Sequence, residues 1–178
     1  MRIWGTSDMK TLITGGASSG KSTFAEKLLL ASKGPHYYVA TMRYSDSECI
    51  GKIARHRSRR EGTDIITIEK QTDIGEVVIP EMGTVLLECV CTLLANEMFD
   101  ESGNERDVYE KIIDGIRNIS CRCEDLIVVT NEVGSSFDVS YSRSTLNYIH
   151  TVGKINCVLA ADFDQVYEMV CGNAVRIK

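Results

Sequence analysis

No apolar run in the 178 residues approaches the ~20 that span a bilayer. Residues 1–8 also lack the charged-then-apolar layout of a secretory signal. These absences argue against a membrane-spanning protein and predict a cytoplasmic one. The seven cysteines are an odd number, and the close pairs Cys89/Cys91 and Cys121/Cys123 lack the two-residue gap of a zinc knuckle. They are expected to be thiols, as a reducing compartment would keep them. There is no internal repeat, linker or low-complexity segment. With 43% hydrophobic residues the chain has material for one good core, so residues 1–178 are expected to form a single domain.

Charge is unevenly spread. The formal net charge is −5, yet residues 52–60 carry five basic side chains and no acid, leaving 15 basic against 25 acidic elsewhere. Such a local concentration suits a phosphorylated ligand. Few aromatics interleave with it to stack bases, which weighs against nucleic acid as a partner.

The strongest motif is Gly15-Gly16-Ala17-Ser18-Ser19-Gly20-Lys21-Ser22, a GxxxxGK[ST] phosphate-binding loop between an apolar strand at 12–14 and a helical run from Thr23. In such a loop glycines allow backbone N–H groups to face a β-phosphate. Lys21 would reach the β/γ oxygens, and Ser22 would place its hydroxyl on Mg²⁺.

Along the chain, Phe24, Leu28 and Leu29 lie at helical spacing with Glu26 and Lys27 turned outward, and Gly34-Pro35 is expected to stop the helix. A buried strand at 37–40 follows. A helix at 46–60 would align Lys52, His56 and Arg60 on one face, with Ile50, Ile53 and Ala54 as its apolar face. Further strands are expected at 65–68, 84–88, 126–130, 165–170 and 174–177, the last two joined at Gly172-Asn173. Helices are expected near 73–78, through Leu93, Leu94 and Met98, between 104 and 120, and over 141–161. The alternation predicts an α/β fold: a mainly parallel sheet flanked by helices, with an antiparallel hairpin at one edge. Ligands then gather at the carboxyl ends of the strands, near the loop, Thr41, Glu88 and Glu132.

Glu88 ends an apolar strand. It either holds the hydration shell of Mg²⁺, as a Walker B acid does, or faces the dipole of the next helix. Glu132 either orients a nucleophile or Mg²⁺, or merely opens a loop. His56, one of three histidines, lies among Arg55, Arg57, Arg59 and Arg60. Those cations would disfavour its protonated form and attract a triphosphate, so it is either a nucleophile or an incidental residue on a solvated basic face. His36 and His150 have no such setting and are expected to be structural.

Together these segments resemble the bifunctional adenosylcobinamide kinase/adenosylcobinamide-phosphate guanylyltransferase family of cobalamin biosynthesis. The likeness runs from Met9 to Lys178. It rests on the phosphate loop with Ala25-Glu26, on Tyr38-Val39-Ala40-Thr41, and on Lys52-Ile53-Ala54-Arg55-His56-Arg57 with Arg60 beyond. Thr67-Ile68-Glu69, Leu86-Leu87-Glu88-Cys89, Asn96 and Val129-Thr130-Asn131-Glu132-Val133-Gly134 complete it. The resemblance implies a RecA-like P-loop domain assembling as a homotrimer. It implies a kinase step on the aminopropanol hydroxyl of adenosylcobinamide, using ATP or GTP, followed by transfer of GMP from GTP through a guanylyl-histidine. His56 is the histidine implied. Lys21 is the second catalytic residue, and Thr41, Arg57, Ser58, Arg59, Arg60, Glu69 and Glu88 are implied nucleotide contacts. Ser22 and Glu88 are the implied Mg²⁺ residues. Ser18 stands where the family usually has Arg, Ile65 where Trp is common, and residues 146–150 lack the usual Arg and Arg-Asp; residues 1–8 precede the usual start. Two other readings use the same loop: a small-molecule kinase with His56 inert, and a nucleotide-dependent nucleic-acid-binding module.

Overall fold

A computed structural model describes residues 9–43, 47–100, 102–134 and 141–178. Its strands are β1 (Met9–Gly15), β2 (His36–Ala40), β3 (Ile65–Glu69), β4 (Thr84–Leu87), β5 (Asp125–Val129), β6 (Gln165–Val170) and β7 (Asn173–Arg176). Its helices are α1 (Lys21–Ala31), α2 (Ser47–Arg60), α3 (Val90–Met98), α4 (Tyr109–Ser120) and α5 (Arg143–Asp162), with a 3₁₀ turn at Ile74–Glu76. The strands form one sheet in the order β3-β2-β4-β5-β1-β6-β7, parallel except for β7, which runs antiparallel to β6.

The central strands are apolar throughout because both faces of the sheet are covered. Leu12, Tyr37, Val39, Val85, Leu87, Leu126 and Val128 share one core cluster with residues of α3, α4 and α5. Their sequence neighbours Ile13, Tyr38, Ala40, Leu86, Ile127 and Val129 turn to the opposite side and meet Ala25 and Leu29 of α1. The alternation is the period of two that a strand imposes. α4 buries Ile112, Ile113, Ile116 and Ile119, each contributing roughly 1.5–3 kcal/mol. β5 separates β4 from the loop-bearing β1, the spacing of a RecA-like P-loop domain, and it sets the ends of β4 and β1 apart by one strand.

Several local expectations are corrected. α1 begins at Lys21 and ends before Gly34-Pro35, because the Ser32 N–H and hydroxyl both close on the Leu29 carbonyl. Glu26 is buried rather than turned outward, and Leu30 is exposed in its place. Ile53 is the apolar residue that α2 buries; Ile50 and Ala54 lie exposed. The part of the expected helix at residue 46 lies outside the described residues, as do residues 1–8. The β6–β7 turn is Cys171-Gly172, one residue earlier than expected, since Val170 pairs with Asn173. Both turn residues have positive φ, 48° and 83°, as a two-residue hairpin of matching twist requires.

Candidate active site

β1 delivers the chain to Gly15 at φ 138°, where a Cβ would lie 2.6 Å from the Met169 carbonyl oxygen on β6. Only glycine fits so close an approach. The next turn runs through Ser18 at φ 57° and Gly20 at φ 100°. The Gly172 N–H donates to the Ser19 carbonyl at 3.0 Å, so the edge hairpin braces the phosphate loop from behind. No side chain caps α1, which leaves its first-turn N–H groups and positive dipole end to an anion. The Ser19 hydroxyl is buried without a hydrogen-bond partner, a group a ligand can satisfy. Lys21 donates from Nζ to the Gly15 carbonyl at 2.8 Å and to that of Gly16. Burial holds its ammonium below the ordinary lysine range, an expense that a bound phosphate would offset.

Residues 17–23 form one wall of a cavity of about 470 Å³, closed on other sides by Met42, Arg55, His56, Arg59, Glu88, Cys89, Thr92, Val129 and Asn131. The nucleophile candidate and the phosphate loop therefore share a single space. His56 Nδ1 lies 3.2 Å from Glu88 Oε1 and 3.0 Å from the Tyr38 hydroxyl. That hydroxyl donates to the same Glu88 oxygen at 2.8 Å. The other Glu88 oxygen accepts the N–H groups of Thr41 at 2.9 Å and Met42 at 3.2 Å. Burial pushes the Glu88 carboxyl up, but the hydrogen bonds from His56, Tyr38 and Thr41 outweigh it and hold the group below the usual glutamate value. It is ionised near neutral pH. Burial, and then the Glu88 charge, push the Tyr38 phenol far above the ordinary tyrosine value, so it remains a donor.

The basic run divides among different tasks. Arg59 faces the cavity and reaches Glu26 at 3.3 Å and the Thr23 hydroxyl at 3.4 Å, tying α2 to α1. Arg60 is buried with its guanidinium 3.7 Å above the centre of the Tyr38 ring and one nitrogen 3.7 Å from Glu26. This stacking gives a buried cation a π-face as well as a carboxylate. Arg57 pairs with Glu69 at 2.8 Å, and both line a small adjoining pocket with His56, Arg60 and Glu88. Ser58 is exposed and donates to the Arg55 carbonyl, while the buried Thr41 hydroxyl donates to the Cys89 carbonyl. Thus the loop, His56, Arg59 and Glu88 come together around one cavity, whereas Thr41, Arg57, Ser58, Arg60 and Glu69 do not line it.

Arg55, expected among the cations that attract a triphosphate, lines the cavity. Met42, Cys89, Thr92 and Asn131 line it as well without having been expected as site residues, and Asn131 occupies the place expected of Glu132, which is exposed. Tyr38 was legible in principle: a tyrosine inside a buried strand needs a partner for its hydroxyl. His36 is buried, with Nδ1 3.0 Å from Asp64 and Nε2 3.3 Å from the Ser32 carbonyl. His150 is exposed on α5. Cys89, Cys91, Cys121, Cys123, Cys157 and Cys171 are free thiols.

A family model described as cobinamide kinase / cobinamide phosphate guanyltransferase matches residues 11–177. The chain belongs to this family. It is 33% identical over 184 residues to the bifunctional adenosylcobalamin biosynthesis protein CobU of Escherichia coli (strain K12), covering 96% of this chain and 100% of that protein. It is 32% identical over 186 residues to the CobU of Salmonella typhimurium, covering 96% and 100% respectively. The protein PH0250 from Pyrococcus horikoshii OT3 is similar in structure, with a TM-score of 0.53 at 10% identity, covering 96% of this chain and 86% of that one. That likeness concerns the fold alone. No helix among the described residues is long and apolar enough to cross a membrane.

The family's departures also have places. Ser18 occupies the left-handed position of the loop, and Ile65 opens β3 and packs against the smaller core cluster. On α5, Asn147 donates to Glu105 at 2.8 Å and Tyr148 to the Cys91 carbonyl at 3.0 Å.

Proposed function

We propose that this chain phosphorylates adenosylcobinamide with a nucleoside triphosphate, then transfers GMP from GTP to the adenosylcobinamide phosphate, releasing pyrophosphate. The observation that carries this reading is the shared cavity: a loop suited to the β- and γ-phosphates and a histidine suited to attack on the α-phosphorus stand on its walls. Lys21 and the α1 N–H groups bind the phosphates and hold the charge that develops on the leaving oxygens. Arg55 and Arg59 add positive charge to the same cavity. Arg57, Arg60 and Glu69 line a small pocket that adjoins His56 and Glu88, Ser58 is exposed beside it, and Arg60 and Thr41 act through Tyr38 and Glu88.

Mg²⁺ fits the donor set. The Ser22 hydroxyl lines the cavity beside Lys21 with no protein partner among the described residues, and it would hold the ion. Glu88 would join only through the hydration shell, by exchanging one of the four donors it now accepts. When bound, the ion supplies charge to the β- and γ-phosphate oxygens.

The test is direct. Adenosylcobinamide incubated with ATP and GTP should yield the phosphate first and then adenosylcobinamide-GDP with pyrophosphate. Accumulation of the phosphate with no GDP derivative would leave an ordinary small-molecule kinase as the better account.

The same reading predicts a homotrimer with the corrinoid near a subunit boundary. A cavity of about 470 Å³ is the size of one ordinary small-ligand site. It leaves no room for a corrinoid beside the nucleotide. Light scattering at micromolar concentration is expected to give three times the 19.8 kDa of the chain. A mass equal to one chain overturns the prediction.

A further inference from the structure

We propose that Tyr38 is a positioning residue for guanylyl transfer: with Glu88 it pins Nδ1 of His56 and leaves Nε2 as the attacking atom. The inference rests on the transferase reading above and concerns how the histidine is held.

An ionised carboxylate can only accept, so the single proton of the Tyr38 hydroxyl goes to Glu88 and the hydrogen bond between that hydroxyl and His56 Nδ1 requires the proton on Nδ1, with the carboxylate 3.2 Å away. The Tyr38 hydroxyl gives its own proton to Glu88 at 2.8 Å and presents its oxygen to Nδ1 at 3.0 Å. Both acceptors stand on the same side of the ring. The neutral ring then carries its lone pair on Nε2, which has no protein partner among the described residues. Positioning of this kind is what a third group does for a nucleophilic or basic histidine elsewhere.

Tyr38 is itself rigidly held. Its side chain is 1% exposed and sits within β2, with Arg60 stacked on the outer face of its ring. Arg60 in turn reaches Glu26 on α1, the helix that leaves the phosphate loop. The chain of contacts Glu26, Arg60, Tyr38, Glu88, His56 therefore registers the histidine on α2 against the element that binds the phosphates. Glu26 was the residue whose burial ran against its expected outward setting, and this contact together with that from Arg59 explains why it is buried.

In the reaction, the Nε2 lone pair forms the N–P bond to the α-phosphorus as the bond to the bridging oxygen breaks, and that electron pair leaves with pyrophosphate. Nδ1 keeps its proton, and the ring's positive charge lies against the Glu88 carboxylate. When a phosphate oxygen of the corrinoid attacks the same phosphorus, the N–P electron pair returns to Nε2.

The experiment uses the full chain labelled with ¹⁵N-histidine, GTP and Mg²⁺. Phosphorus–nitrogen coupling should place GMP on Nε2 of His56. Tyr38→Phe removes one hydroxyl and keeps the ring under Arg60. It should slow single-turnover guanylylation about tenfold at saturating GTP, the loss expected for one hydrogen bond to a charged group. GTP affinity should stay within about twofold, a split that a merely structural role would not give. Attachment at Nδ1 overturns the pinning while leaving guanylyl transfer standing. Guanylylation by Tyr38→Phe at the unmodified rate, or a fall in GTP affinity that matches the fall in rate, overturns the role of Tyr38. If the unmodified protein takes up no GMP on histidine at all, the transferase reading itself fails.

Discussion

His56→Ala is expected to abolish guanylyl transfer, with a loss on the order of 10³-fold or more, as removal of a covalent nucleophile generally gives. The physical argument starts at the cavity wall. The loop grips the two distal phosphates, so pyrophosphate is bound before it leaves. An imidazole on another wall of the cavity converts one difficult displacement between two phosphates into two easier ones. Incubated with Mg²⁺ and GTP labelled at the α-phosphate, the unmodified protein should acquire label that acid removes and alkali does not, as a phosphorus–nitrogen bond behaves. γ-Labelled GTP should leave none of that kind, and His56→Ala should acquire none from either. The variant should fold. His56 is only partly buried, and Glu88 would still accept from Tyr38, Thr41 and Met42, so no buried charge is left bare. Some phosphorylation of adenosylcobinamide should persist, since Lys21 and the loop are intact. Uptake of acid-labile α-label by the alanine variant would remove His56 from the mechanism.

What was legible in the sequence was what local chemistry dictates. The phosphate loop needs glycine at Gly15 and Gly20 because of the backbone there, and a pattern of glycines is visible without coordinates. The strands flanked by it are apolar on both faces, so their runs stand out even when single-residue boundaries do not. The site's other half was legible as residue types rather than as positions. His56 among arginines was visible, but which arginine faces which way depends on the rotation of α2, and that is set by long-range partners. Arg60 turns inward because Tyr38 and Glu26 receive it, and Arg57 turns out to Glu69. Helical periodicity misassigned Glu26 for the same reason: a carboxylate is normally solvated, and only cations arriving from 33 and 34 positions later in the chain justify burying it. Glu88 showed the converse. Its place at the end of β4 was read correctly, while the four donors that occupy its oxygens come from β2, the segment after it, and α2, none adjacent to it in sequence.

Lys21→Ala is expected to lower phosphoryl transfer to adenosylcobinamide by on the order of 10²-fold or more, and to leave the fold in place. An ammonium aimed at oxygens that gain charge in the transition state supplies several kcal/mol there. Guanylylation of His56 should fall as well, because the same loop holds the leaving pyrophosphate. The cost to the free protein is small for a reason visible in the structure. Nζ is folded onto the Gly15 and Gly16 carbonyls and is desolvated enough to lower its proton affinity. Those two hydrogen bonds and the burial of a cation work against each other, so removing both together changes stability little. The melting temperature of the unliganded variant should lie within about 2–4 °C of the unmodified protein, the shift that roughly 1 kcal/mol produces at this chain length. Nucleotide should raise the melting temperature of the unmodified protein and have a much smaller effect on the variant, because ligand stabilisation scales with affinity. Phosphoryl transfer within a few-fold of normal in a well-folded Lys21→Ala protein would mean that the loop does not carry the reaction, and the kinase step would have to be sought on another surface of the molecule.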